Sequence, residues 1–247
     1  VPVIRTTKEI FETQRYLDHE NNHAITLPSP LKFPDEVDLP IPPYTFGVWI
    51  GDGGKHHGNI TCFDEEIIKN VVGDGCCVSE RMSRHNFFTV NGTPCGDPMY
   101  TVLKKNNLLM NKHIPEVYLR ASVRDRIELL RGLMDTDGYV DKHGRCEYTT
   151  TSKVLATNIF DLVVGLGLKA TLGEGDAKLY GKIISRKYRI GFTPPESFDV
   201  FRLQRKSDRL SIRGKRKSDI GRVFIENVHK IDPVPVRCIQ VDNDDST

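Results

Sequence analysis

The chain has 247 residues, 38% of them hydrophobic and 28% charged, with a formal net charge of +2 at pH 7; it is long enough for one large domain or two similar halves and too apolar for a disordered chain. No run approaches the roughly 18 to 20 apolar residues that cross a bilayer, and no charged-then-apolar leader opens the chain, so an intracellular place is expected, cytoplasmic or nucleoid-associated, with no membrane and no secretion. The six cysteines (Cys62, Cys76, Cys77, Cys95, Cys146, Cys238) form no C-x-x-C pair and the eight histidines no H-x-x-x-H spacing, which speaks against structural zinc or a disulfide framework and for ordinary reduced thiols.

In chain order, residues 1–41 read as a flank that starts on Val1 rather than methionine, as a piece taken from a longer polypeptide would. Pro42-Pro43 fit the first turn of a helix, where the missing N–H costs nothing, and that helix ends at Asp52-Gly53. A turn through Lys55-His56-His57-Gly58 leads into a strand, Asn59-Ile60-Thr61-Cys62-Phe63. A helix over about residues 65–72, a strand-like run at 87–90 and a helical stretch over about 98–109 complete a first half spanning 42–120. Ser122 with Asp125 three residues on resembles a capping box and opens a second helix, which ends at Asp137-Gly138. Its sequel is a turn through Asp141-Lys142-His143-Gly144 and a strand, Arg145-Cys146-Glu147-Tyr148-Thr149. A helix over about 152–166, a strand at 188–192 and a helical stretch at 195–203 follow within a second half spanning 121–221; residues 222–247 are a C-terminal segment.

The two halves say the same thing twice. Thr45-Phe46-Gly47-Val48-Trp49-Ile50-Gly51-Asp52-Gly53 matches Leu130-Arg131-Gly132-Leu133-Met134-Asp135-Thr136-Asp137-Gly138, each with glycine five residues before the aspartate. Glycine inside a helix costs about 0.5 to 1 kcal/mol relative to alanine, and close helix-to-helix packing would offset that. Packed through Gly47 and Gly132, the helices bring Asp52 and Asp137 side by side at two C-termini. There the carboxylates repel each other and the helix dipoles, and a bound cation makes the arrangement comfortable. The order αββα with an added strand pair, repeated, predicts an α/β (α+β) protein with two twisted antiparallel sheets about a pseudo-two-fold axis, one concave face per half left wet.

Charge is unevenly spread. Between Lys178 and Lys230 basic residues, among them Arg186, Lys187, Arg189, Arg202, Arg205, Lys206, Arg209, Arg213, Lys215, Arg216 and Lys217, outnumber acidic ones by two to one or more. Alone such a patch reads as a solvated face; beside a catalytic constellation it becomes a candidate phosphate-tracking surface.

The segments ending in Asp52-Gly53 and Asp137-Gly138 resemble the paired motifs of the LAGLIDADG homing endonucleases, the second copy closely and the first more loosely, with Ile50 where the second keeps Asp135. They lie 85 residues apart, from 52 to 137, and the resemblance covers about residues 42–210. Asn111-Lys112-His113-Ile114-Pro115 is similar to the segment that carries a catalytic lysine in intein-borne members. The flanks, including Thr6-Thr7-Lys8-Glu9-Ile10, Asn22-His23-Ala24-Ile25 and Leu39-Pro40-Ile41-Pro42-Pro43-Tyr44, resemble the approach to an endonuclease insert. Val236-Arg237-Cys238-Ile239-Gln240-Val241-Asp242 resembles re-entry into a splicing fold, with Cys238 a strand residue and not a nucleophile. With no N-terminal nucleophile block and no terminal His-Asn, the chain is not expected to splice alone.

The resemblance implies a LAGLIDADG fold of two αββαββα halves with saddle-shaped antiparallel sheets, and site-specific, metal-dependent hydrolysis of both strands of a long, asymmetric DNA site by a monomer embedded in an intein. Asp52 and Asp137 would hold Mg2+ with neighbouring carbonyls and scissile phosphates, Mn2+ or Ca2+ substituting for binding. Lys112 would order the water or stabilise the phosphate, with Lys206 as its first-choice counterpart and Lys215 the second. Base and phosphate contacts are expected from Asn59, Thr61, Arg145, Glu147, Thr149, Arg186, Lys187, Arg189, Arg205, Arg209 and Lys215; alternation gives a facing set but not its sign, so Cys62, Cys146 and Tyr148 are the other choice. The rival reading is an inert LAGLIDADG nucleic-acid-binding module or an RNA maturase, because these residues do not decide DNA against RNA.

Overall fold

The computed structural model describes residues 3–16, 20–33, 37–80, 86–195, 198–211 and 221–237; Lys215, with Arg213, Arg216 and Lys217 of the basic stretch, and Cys238 lie outside them. The chain divides into two compact units, one of residues 1–26 with 222–247 and one of residues 27–221. In the first, α1 (Thr7–Glu12) starts at a capping box in which Thr6 Oγ1 accepts from the Glu9 N–H at 3.2 Å while the Glu9 carboxylate accepts from the Thr6 N–H at 2.7 Å. β1 (Arg15–Tyr16) and β2 (Glu20–Asn21) form a short antiparallel ladder, and β3 (Ala24–Thr26) follows.

The larger unit carries the repeat. Its first half runs α2 (Pro43–Asp52), β4 (Asn59–Thr61), α3 (Glu65–Gly73), β5 (Cys77–Glu80), β6 (Phe87–Gly92) and α4 (Met99–Lys105), with a three-stranded antiparallel sheet in the order β4-β6-β5. A one-turn helix, α5 (Glu116–Leu119), leads to the second half: α6 (Val123–Thr136), β7 (Gly138–Val140), β8 (Cys146–Thr150), α7 (Lys153–Gly165), β9 (Ala170–Leu179), β10 (Lys182–Phe192) and α8 (Gln204–Ser211). Its antiparallel sheet has the order β7-β8-β10-β9. β11 (Arg222–Phe224), back in the smaller unit, pairs with β3. The second half is therefore αββαββα, and the first repeats it with one strand reduced: Gly138 pairs with Tyr148 in the β7–β8 ladder, while its match Gly53 makes only an isolated bridge to Ile60. This mixed α/β architecture is consistent with the LAGLIDADG fold.

Local chemistry sets the ends of the elements. Asp64, Ser122 and Ser152 accept from the N–H groups of Glu66, Asp125 and Leu155 and so cap α3, α6 and α7. The helix expected at 195–203 is a correction: α8 begins at Gln204, and residues 196–197 lie outside the described set. Carboxylates take the backbone donors that a helix there would use, Asp199 accepting from the Phe201 N–H at 3.0 Å and Asp135 from those of Arg202 and Leu203 at 3.1 and 3.2 Å. The sequence also starts the first half at residue 42, whereas the compact unit starts at 27. Residues 27–33 are held to it: the Leu31 N–H donates to the Gly165 carbonyl at 3.0 Å, and the buried Arg126 guanidinium bonds the carbonyls of Ala121, Gly165 and Leu31.

One hydrophobic core runs through the larger unit, and α2 and α6 lie at its centre. Residues 44–50 of α2 are all buried, so this helix is apolar on every side, as a helix enclosed by protein must be. The pair packs with backbone against backbone. A Cβ built on Gly132 would sit 2.1 Å from the Tyr44 carbonyl oxygen, and one on Gly47 2.5 Å from that of Leu129. Gly132→Ala is therefore expected to destabilise the protein by roughly 2 kcal/mol or more in chemical denaturation, outweighing alanine's better helix propensity. Gly73→Ala at the end of α3, where a Cβ meets nothing within 4 Å, should be neutral or slightly stabilising. A Gly132→Ala protein as stable as the parent would contradict the close approach.

Candidate functional site

The glycine contact sends both helix C-termini to one place. Asp52 is the last residue of α2 and Asp137 caps the end of α6. One residue before them Gly51 faces Thr136 so closely that a Cβ on Gly51 would lie 2.1 Å from Thr136 Oγ1. Burial first and the charge of Asp137 second push the Asp52 carboxyl up to about 6, while the ammonium groups of Lys112 and Lys206 act in the other direction. Asp137 is exposed, and Tyr148, buried beneath the sheet, donates to its Oδ2 at 3.4 Å.

Each helix end carries a lysine. Lys112 Nζ donates to the carbonyls of Trp49, Ile50 and Gly53 at 2.9, 2.9 and 2.7 Å and lies 4.9 Å from the Trp49 ring centroid. Lys206 Nζ donates to the carbonyls of Met134, Asp135, Thr136 and Gly138 at 2.7, 2.8, 3.3 and 2.7 Å. Trp49, Ile50 and Gly53 are the residues that the repeat matches with Met134, Asp135 and Gly138, so the two ammonium groups occupy equivalent positions. Unsatisfied carbonyls at a helix C-terminus carry partial negative charge, and a cation there satisfies both their hydrogen bonding and the dipole. Burial lowers each ammonium to about 8, against the opposing pull of the nearby aspartates, so both remain charged at neutral pH. The chain thus supplies two cations of its own to the helix ends, and among the neighbouring carbonyls those of Trp49, Ile50 and Gly53 and of Met134, Asp135, Thr136 and Gly138 accept from them.

The sheet faces sort the remaining candidates. Cys146 and Tyr148 are buried, as is Cys62, whereas Arg145 and Thr149 are exposed and Glu147 is half-buried, so the odd-numbered residues of β8 face solvent. Arg189 pairs across the ladder with Thr149, and with Tyr139, Asp141, Arg145, Glu147, Thr171, Leu172, Gly173 and Gly191 it lines a depression of about 410 Å³ on that face. Lys187 shares the parity of Arg189. Arg186 does not: it points to the opposite face of the β9–β10 ribbon, where its guanidinium pairs with Glu174 at 2.9 Å and Asp176 at 2.7 Å. In the first half Thr61 is exposed, but Asn59 is 5% exposed and its Oδ1 is the one buried side-chain oxygen or nitrogen without a partner among the described residues. Asn59 is therefore not presented as a base contact. The amide packs against Gly54, where a Cβ would come within 2.6 Å of that oxygen. Arg209 is exposed on α8, while Arg205 spends its charge on Asp64 at 3.0 Å. Three of the basic residues read from composition, Arg186, Arg202 and Arg205, are thus paired with carboxylates of the chain itself.

A polar network at the seam of the two halves has no counterpart among the sequence-based expectations. Tyr44 OH donates to Asp135 Oδ2 at 2.8 Å, the Arg202 guanidinium lies 4.0 Å from the Tyr44 ring centroid, and it pairs with Asp74 at 2.9 Å and Glu128 at 2.6 Å. Thr45 Oγ1 donates to Asp74 at 2.8 Å. Burial raises the Asp135 carboxyl to about 6 against its hydrogen-bond donors and the Lys206 charge. In the sequence Asp135 is visible only as the acid that the first copy replaces with Ile50; nothing there marks Arg202 as its neighbour.

Residues 125–198 match the family described as the LAGLIDADG-like domain, a span that begins in α6, before Asp137, and ends beyond β10. The whole chain is also similar to the replicative DNA helicase DnaB of Mycobacterium intracellulare, at 35% identity over 97% of this chain, and it spans 39% of the length of that helicase. The matched segment takes in most of α6, Asp137 and the exposed face of β8 and β10, and it is this segment that is similar to a LAGLIDADG-like domain.

Proposed function

We propose that this chain is a site-specific, metal-dependent endonuclease that cuts both strands of DNA, a homing endonuclease lodged in an intein. The observation that carries the reading is the pair Asp52 and Asp137, delivered to one place by glycine-packed helices whose ends are each held by a lysine. The LAGLIDADG-like match supports it. A chain that aligns over nearly its full length with part of a DnaB helicase is what an insertion within such a protein would give. The chain is read as a monomer, since its unlike halves supply both acids.

The donor set fits a hard divalent cation. Two carboxylates converge, one of them pushed up by burial and by the other's charge, and all-oxygen donors of this kind suit a cation that keeps water and substrate oxygens in its shell. Mg2+ bound there would activate water and neutralise phosphate charge. Asp52 and Asp137 would hold it, together with water and the scissile phosphates. Lys112 and Lys206 fix the helix ends that carry the acids and place positive charge beside the developing phosphorane. Arg145, Lys187 and Arg189 would track phosphates or read base edges from the exposed sheet face.

The test is incubation with duplexes spanning the uninterrupted coding sequence of a DnaB-type helicase, with and without Mg2+; binding without any cleavage would favour the inert module. Asp52→Asn or Asp137→Asn should lower double-strand cleavage by about a hundredfold or more with DNA affinity nearly unchanged, and a variant cutting at the parental rate would remove that residue from the site. On salt dependence, replacing Arg145, Lys187 and Arg189 with glutamine should flatten the log–log slope of affinity by about 0.9 for each phosphate no longer neutralised, while Arg186→Gln leaves it unchanged.

The raised Asp52 carboxyl also makes a stability prediction for the metal-free protein. Its folded value of about 6 lies above the usual 3.8, so the folded state binds this proton more tightly. The penalty for ionisation is absent below the unfolded value, grows between about 4 and 6 and is complete above that. Asp52→Asn should therefore be more stable than the parent at pH 7.5 by about 1 to 2 kcal/mol after solvent screening, with the difference vanishing near pH 4. A variant less stable at pH 7.5 would contradict the strained carboxylate.

A further inference from the structure

We propose that Asp135 is a positioning residue for Lys206: by holding the backbone N–H groups of Arg202 and Leu203 it fixes the entry into α8 and so seats the lysine on the C-terminal carbonyls of α6. Asp135 Oδ2 accepts from the Arg202 N–H at 3.1 Å, and both carboxylate oxygens accept from the Leu203 N–H at 3.2 Å. Glu66 takes the next donor, the Gln204 N–H, at 3.2 Å. Lys206 sits in the first turn that follows, its own N–H donating to the Leu203 carbonyl at 3.0 Å. A shift at 202–203 is therefore transmitted to Lys206 over about one helical turn. The carboxylate is itself held by Tyr44 OH from α2, and Arg202 by Asp74 and Glu128, so groups from both halves determine the seat.

The first half positions its lysine by other means. Ile50 stands at the place matched to Asp135, 3% exposed and with no polar side-chain atom. Lys112 lies in a loop pinned by the Met110 N–H on the Lys55 carbonyl at 2.8 Å, by the Ile114 N–H on Asn158 Oδ1 at 3.1 Å, and by Pro115 at the start of α5. Two lysines with the same capping role thus have independent supports, and a lesion at Asp135 should free one and not the other. The geometry stands without cleavage; its importance for cutting, through the helix end that carries Asp137, rests on the endonuclease reading.

Competitive acetylation of the native, metal-free protein with limiting acetic anhydride, read lysine by lysine by mass spectrometry, tests this without DNA. In the parent, Lys112 and Lys206 should both react far more slowly than the exposed Lys142 and Lys153. Asp135→Asn puts an NH2 where an acceptor oxygen met a backbone N–H; Lys206 should then react about tenfold faster, the scale of losing one such charged hydrogen bond, with Lys112 unchanged. Tyr44→Phe, which releases one anchor of the carboxylate, should move Lys206 the same way by less. Leu168→Ala, a core lesion beyond the end of α7, should leave the ratio of Lys206 to Lys112 reactivity as it was. Lys206 unmoved in the folded variants, or Lys206 and Lys112 rising together, would overturn the proposal; should Asp135→Asn not fold, Tyr44→Phe alone decides it by the same criterion.

Discussion

The close approach of α2 and α6 is the constraint on which the rest of this structure depends. Two helices can meet backbone to backbone only where neither presents a Cβ, and Gly47 and Gly132 clear that contact for each other. The consequence is electrostatic. Neighbouring helix ends bring together unpaired carbonyls and the two aspartates that follow them, an accumulation of negative charge that neither half could avoid by rotating its side chain away. The structure answers it twice over, with Lys112 on one set of carbonyls and Lys206 on the other. Each lysine loses solvation in doing so, which is why burial lowers both to about 8. The carboxylates receive less relief, and Asp52 stays raised. That residual strain is the physical basis of the proposed cation.

Symmetry holds for this centre and fails around it. The lysine-capped ends match at three carbonyls, Trp49, Ile50 and Gly53 against Met134, Asp135 and Gly138, but the first sheet has three strands and the second four. The seam carries one polar network, from Tyr44 and Asp74 to Asp135, Glu128 and Arg202, where strict symmetry would require two. At the matched position Ile50 joins the apolar core instead. A buried acid is acceptable only when its oxygens are well supplied with donors, and Asp135 has a phenol and two backbone N–H groups. The halves have thus kept the same acids and lysines while building different supports for them.

The repeat made the centre legible in the sequence. Glycine at a fixed distance before Asp-Gly, twice, is a local pattern with a single good physical explanation, and it located α2, α6, Asp52 and Asp137 together. Strand parity was half legible: alternation defined the set of Arg145, Glu147 and Thr149, and only the burial of Cys146 and Tyr148 gave its sign. What stayed hidden was anything settled by partners distant in the chain. Arg186 and Arg205 read as free positive charge because Glu174, Asp176 and Asp64 are not their sequence neighbours. Asn59 read as a surface residue because nothing local shows it packing on Gly54. The helix expected at 195–203 failed for the same reason, since Asp135 claims its backbone donors from 67 residues away.

The most direct test of the account is Mn2+ binding followed by electron paramagnetic resonance at pH 7.5, on the parent and on Asp52→Asn, Asp137→Asn and the double variant. If the helix pair delivers both acids to one centre, each single variant should weaken Mn2+ binding by about tenfold or more, and the double variant should lose much less than the product of the two single effects. Strictly independent losses, or Mn2+ binding untouched by either substitution, would contradict a shared centre.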